Sequence, residues 1–103
     1  MVLEVTLIDV LPGRADDFLA AFQVARPMMA GAPGCRSVRL QRSVASSDRF
    51  VLLAEWDSLE AHEHHFRRTE RFAQWRALIA TALAQPPLAE FYAEVLAGDF
   101  FGG

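Results

Sequence analysis

Lysine and asparagine are both missing from this 103-residue chain. Without lysine there can be no protein imine, which excludes attachment of pyridoxal phosphate and Schiff-base catalysis. A single cysteine, Cys35, leaves no internal disulfide and no thiolate cluster for a metal. Positive charge is scarce too, with ten Lys+Arg against 13 Asp+Glu and a net charge of −3. The arginines are scattered, so the basic stripe that phosphate neutralisation needs is missing and nucleic acid is not an expected partner. There is no glycine-rich phosphate loop, dinucleotide fingerprint or G-x-S-x-G elbow, so nucleotide and flavin cofactors have no sequence support. No basic N-terminal stretch leads into a long apolar run with a small-residue cleavage site, so the expected location is cytoplasmic, with no membrane partner.

Apolar residues are abundant. The chain is 52% hydrophobic and 22% charged, far from the composition that keeps a chain disordered. Its length suits one domain, expected over residues 1–97, with 98–103 as a flexible C-terminal tail.

Met1 to Leu11 is β-branched and apolar, interrupted only by Glu4, Thr6 and Asp9, and reads as a strand closed by Pro12-Gly13. Ala15, Phe18, Phe22, Ala25 and Met29 then recur at helical spacing, with Asp16 and Asp17 favouring the start and Pro27 expected to kink or stop the helix. After the Pro33-Gly34 turn, Val38 and Leu40 alternate with polar residues, and a turn at Ala45 to Asp48 leads into an apolar strand from Phe50 to Trp56. The short connection implies an antiparallel hairpin. Ser58 caps a helical region, one helix or two, striped by Leu59, His62, Phe66, Thr69, Phe72, Ile79 and Leu83. Gln85-Pro86-Pro87 ends it, and Leu88 to Leu96 reads as a last strand.

The order βαββαβ is the split arrangement of an α+β, ferredoxin-like antiparallel sheet with helices on one face. The strands are apolar at both parities: Leu3, Val5 and Leu7 beside Val2, Ile8 and Val10, and Val51 and Leu53 beside Phe50, Leu52 and Ala54. The face without helices therefore needs a second cover, and the expected cover is the same sheet of another copy in a homodimer.

Among residues that could carry chemistry, His62 lies on the apolar helical stripe and should point inward. It is either a buried histidine bonded to a carbonyl or to Glu55, or a proton acceptor in a dry pocket. His64 and His65 read as solvated helix surface rather than metal ligands, since no Cys cluster or His-Glu-x-x-His pattern accompanies them, and no metal is expected. Trp56, in phase with Phe50, Leu52 and Ala54, is either a core tryptophan or a platform for an aromatic ligand. Thr6, Glu4 and Tyr92 break apolar strands, either as pocket lining or as exposed edge. Arg76, beside Trp75, either holds an anionic oxygen or lies over apolar surface. Cys35 has only Arg36 as a basic neighbour, and nucleophilic use is unsupported.

The runs Ala25-Arg26-Pro27 to Pro33-Gly34-Cys35, Ser47-Asp48-Arg49-Phe50 into Glu55-Trp56, and Glu60-Ala61-His62 with Phe72 together resemble the antibiotic biosynthesis monooxygenase family. The resemblance implies a dimeric α+β barrel and an oxygenase that needs no flavin, haem or metal. It implies a phenol, hydroquinone or similar small aromatic substrate with dioxygen as oxidant. On that likeness His62 and Trp56 are the catalytic candidates, His62 as base or orienting donor and Trp56 as stacking wall and N–H donor. Thr6, Phe66, Phe72, Arg76 and Tyr92 are the substrate-binding candidates. Some better-known members use an asparagine amide, which this chain does not have, and a threonine hydroxyl is a differently shaped contact. Haem-degrading relatives carry an axial histidine late in the helical region, where Trp75 and Arg76 stand here, so haem breakdown is not expected. Two alternatives share the barrel: a non-catalytic module binding a small ligand, and an acid–base isomerase.

Overall fold

The computed structural model describes residues 1–98, so the expected tail lies, apart from Gly98, outside the described residues. Strand β1 (Val2–Asp9) is followed by helix α1 (Ala15–Ala30), the hairpin β2 (Cys35–Arg42) and β3 (Arg49–Trp56), the short helix α2 (Leu59–His62), helix α3 (Glu70–Ile79) and strand β4 (Leu88–Ala93). A π-helical turn, Glu63–Arg67, joins α2 to α3, and a 3-10 turn, Ala80–Ala82, closes the helical region. The four strands form one antiparallel sheet in the order β2-β3-β1-β4. This is the ferredoxin-like arrangement expected from the order of elements. No helix among the described residues is long and apolar enough to cross a membrane.

The alternation along β1 and β3 fixes what faces the helices. Ile8, Phe50, Leu52, Ala54 and Trp56 are buried beneath α1 and α3, against Phe18, Phe22, Ala25, Met29, Trp75 and Ile79. The other parity makes the outer face: Leu3, Val5, Val51 and Leu53 are half-buried, while Leu7, Leu88 and Tyr92 are about half or more exposed. An apolar sheet face is thus left open on the single chain, as the two-sided strand pattern requires.

Three local expectations need correction, and the open choice between one helix and two is resolved. Pro27 does not end α1, which runs one further turn to Ala30. Pro27 and Gln23, the residue whose carbonyl loses its N–H partner, are both on the exposed side, and the Gly31 N–H returns to the Pro27 carbonyl at 2.9 Å. The helical region is broken in two, because Thr69 takes an extended backbone (φ −118°, ψ 168°) and its hydroxyl donates to the Phe66 carbonyl at 2.7 Å. Leu59 is 48% exposed, since it occupies the first turn where the helix has not yet reached the sheet, and Ala61 and His62 face inward instead. Strand β4 ends at Ala93 rather than Leu96, because its partner β1 ends opposite it at Val2.

Gly34 is the hinge between sheet and site. Its φ of +88° is a conformation open to glycine, and a Cβ there would stand 2.7 Å from the Ala61 Cβ. That close approach, with the Asp57 N–H donating to the Gly34 carbonyl at 2.8 Å, lets α2 start directly over the sheet. Ser58 caps α2 by accepting the Ala61 N–H at 3.0 Å.

Candidate functional site

Between the sheet and the second helical layer lies a cavity of about 450 Å³. Strand β1 contributes Glu4 and Thr6 to it, consecutive residues of the parity that faces the helices. Helix α2 contributes His62, and the wider π-helical turn that follows places both Phe66 and Arg67 at the cavity. Phe72, Trp75 and Arg76 enter from α3, Met29 from α1, and Pro86, Pro87 and Ala89 from the approach to β4.

The floor is a buried polar cluster centred on Glu4, which is 3% exposed. Its Oε2 accepts the Thr6 hydroxyl at 2.6 Å and its Oε1 accepts the Trp56 indole N–H at 3.1 Å. The same Oε1 lies 3.7 Å from His62 Nε2, too long for a hydrogen bond but close enough for the carboxylate to act on the ring's charge. Aromatic rings hold the imidazole in place: Trp56 meets it edge-on at 5.0 Å between centroids, and Phe91 and Phe66 lie at 4.6 and 5.9 Å. Burial pushes the His62 pKa below its ordinary value near 6.5, opposed by Glu4 and Glu63 and reinforced by the Arg67 cation. Burial therefore favours the neutral ring. With Nε2 turned to a carboxylate, the proton belongs on Nε2 and the Nδ1 lone pair is free.

Among the described residues two buried side-chain polar atoms have no hydrogen-bond partner: His62 Nδ1 and the Trp75 indole N–H. Both residues line the cavity. A ring nitrogen and an indole N–H without protein partners, on two residues that line one cavity, are what a ligand with a hydroxyl or carbonyl would satisfy.

Of the residues singled out from sequence, Thr6, His62, Phe66, Phe72 and Arg76 line this one cavity. Trp56 takes the first of its two readings, that of a core tryptophan. It is fully buried beneath His62, does not line the cavity, and spends its N–H on Glu4, so it positions the floor and is not a wall for a ligand. Tyr92 is displaced: paired with Leu3, it lies on the outer face at 49% exposure, while its neighbour Phe91, opposite Glu4, faces the imidazole. Glu55 is not the partner of His62, because it is out of phase with Trp56 and accepts the Ser37 hydroxyl at 2.8 Å on the outer face. His64 and His65 are exposed, and His65 Nδ1 lies 3.0 Å from the Pro33 carbonyl. Cys35 is half-buried and its thiol pKa is raised, chiefly by burial, which leaves it poorly nucleophilic. The central role of Glu4, the open N–H of Trp75 and the place of Arg67 were not anticipated. The signal for the first was the pair Glu4 and Thr6 on one strand parity.

A profile of the family described as antibiotic biosynthesis monooxygenase matches residues 1–78. A crystal structure from Bordetella bronchiseptica, provisionally named an antibiotic biosynthesis monooxygenase, is 36% identical and superposes with a TM-score of 0.86, covering 92% of this chain and 97% of its own. SnoaB of Streptomyces nogalater, described as a cofactor-independent oxygenase, has the same fold with a TM-score of 0.81 at 17% identity, over 93% of this chain and 94% of its own. YczJ of Bacillus subtilis, an uncharacterized protein, is 28% identical over 95 residues, which is 92% of this chain and all of that one.

Proposed function

The chain belongs to the antibiotic biosynthesis monooxygenase family, and on that premise we propose that it is a cofactor-independent monooxygenase of small phenolic or hydroquinone-like aromatics. The observation that carries the reading is the buried imidazole of His62, its Nδ1 without a protein partner, at the floor of a cavity walled by aromatic rings. A substrate hydroxyl or acidic carbon donates its proton to Nδ1, and the imidazolium that forms is stabilised by Glu4 behind Nε2. The Trp75 N–H, otherwise without a partner, donates to the substrate oxygen as negative charge builds on it.

The aromatic anion, held away from water by Phe66, Phe72, Trp75 and Met29, then gives electrons to dioxygen directly. For an anthrone-like substrate the balance closes without any other reductant: the ring CH₂ becomes C=O, one oxygen atom enters that carbonyl, and the other leaves as water. An oxygen electrode with anthrone and simple hydroquinones tests the reading. Uptake by the native protein that vanishes in His62→Ala supports it, and unchanged uptake in that variant defeats the assignment of His62.

The open sheet face extends the proposal to assembly. Leu3, Val5, Val51, Leu53, Leu7 and Leu88 would be covered by a second copy through a two-fold interface, closing a dimeric barrel. One observation favours a second reading, an acid–base isomerase. A carboxylate and an imidazole side by side on one cavity are two groups able to exchange protons with a substrate without oxygen, and turnover under anaerobic conditions would select it.

A further inference from the structure

The cavity is chemically two-ended. Its floor is Glu4, Thr6 and His62, all buried, whereas Arg67 and Arg76 at its rim are exposed. Four other arginines, Arg14, Arg36, Arg49 and Arg68, each pair with a carboxylate. Arg67 and Arg76 pair with none among the described residues, and the Glu63 carboxylate, one helical turn before Arg67, is taken by Arg68. Among the described residues Glu4 is the one acidic residue lining the cavity, and its oxygens are engaged by Trp56 and Thr6. The rim cations therefore have no internal counter-charge. The Arg67 guanidinium is held 4.4 Å over the Phe72 ring, which fixes it at the mouth instead of leaving it to swing into solvent. A shallower groove continues outward from the cavity along α3, sharing Arg67, Phe72, Arg76 and Ala80 with it and lined further by Ala73 and Ala77.

We propose that the site takes an amphiphilic aromatic acid: a phenolic end at His62 and, at the opposite end of the molecule, a carboxylate held between Arg67 and Arg76. The phenolic end rests on the function proposed above, while the carboxylate end stands on the arginines alone. Guanidinium presents a planar fork that matches a carboxylate with two parallel hydrogen bonds, and the unopposed charge at the mouth also raises the encounter rate with anions. A neutral phenol of the same shape leaves both guanidinium groups unpaired and gains only the floor and the apolar walls. The acidic end stays near solvent, so the reacting end alone is dehydrated.

Isothermal calorimetry with para-hydroxycinnamate and its methyl ester, both phenols of nearly equal shape, tests the proposal. At low salt the acid binds the native protein about tenfold more tightly than the ester, a ratio worth about 1.4 kcal/mol, and the ratio shrinks as salt screens the rim. Arg67→Gln and Arg76→Gln each reduce the ratio severalfold, the double variant brings it close to one, and Arg76→Lys keeps it above that of Arg76→Gln. The ratio is read within each variant, so a general loss of folding does not mimic the effect. Equal affinity for acid and ester, a ratio that survives in the double variant, or no binding of either probe at millimolar concentration overturns it. Selective binding of the acid with no oxygen uptake leaves the carboxylate subsite standing and removes the oxygenase. Uptake with neutral hydroquinones and no preference for the acid does the reverse.

Discussion

Replacing Glu4 by Gln removes one charge and almost nothing else. Glutamine has the same shape, its amide oxygen can accept the Trp56 N–H, and its amide nitrogen can donate to the Thr6 hydroxyl, reversing that bond and turning the Thr6 proton away, so both contacts of the cluster survive. What is lost is a carboxylate 3.7 Å from His62 Nε2. Coulomb's law at that distance gives about 4.5 kcal/mol with an effective dielectric of about 20 and about 1 kcal/mol with that of water. Because the carboxylate favours the imidazolium, its removal lowers an already depressed His62 pKa further. An NMR titration of the imidazole, assigned with His62→Gln, reads this directly. The acid limb of kcat/KM moves to lower pH by the same amount, and the weaker base slows turnover near pH 7 by roughly threefold to tenfold. An unchanged or raised His62 pKa in Glu4→Gln refutes the reasoning, because the carboxylate would then not be acting on the ring.

The depressed His62 pKa also makes a stability prediction. Above about pH 6.5 both folded and unfolded chains carry the neutral ring; below it the unfolded chain protonates first, so stability falls with pH until the folded ring protonates too. His62→Gln therefore flattens the loss of urea-denaturation midpoint below about pH 6.5. Gly34→Ala, which combines a strained positive φ with a 2.7 Å approach to Ala61, costs about 1 to 3 kcal/mol in the same assay; a cost near zero contradicts the close packing of α2 on the turn. Leu53→Arg, on the outer face opposite Val5, converts the proposed dimer to a monomer by sedimentation, and a native protein that already sediments as a monomer removes that interface.

Much of the fold was legible because hydrophobic period and turn chemistry agreed. Phe18, Phe22, Ala25 and Met29 at helical spacing, and Phe50, Leu52, Ala54 and Trp56 at strand spacing, are the buried residues of their elements. Where boundaries slipped, a tertiary fact decided them: β4 stops opposite Val2, where strand β1 itself begins, and Pro27 is tolerated because the bond it removes lies on the exposed side of α1. The inward aim of His62 followed from its place on the stripe. Its partner did not, because Glu4 stands 58 positions earlier, on the first strand, and reaches the ring across the sheet rather than along the chain. Tyr92 and Phe91 show the sensitivity to strand register: a shift of one residue exchanges the cavity face for the open face. Trp56 was placed on the correct face, but burial depth, which a parity pattern does not carry, decides that it supports the imidazole from behind.

The central claim is that His62 takes a proton from an aromatic substrate in a water-poor cavity, and it can be watched with oxygen removed. Anthrone bound anaerobically near pH 7 should show the absorption band of its anion with the native protein and not with His62→Ala. Anthrone that binds the native protein and keeps the spectrum of its neutral form would contradict the account.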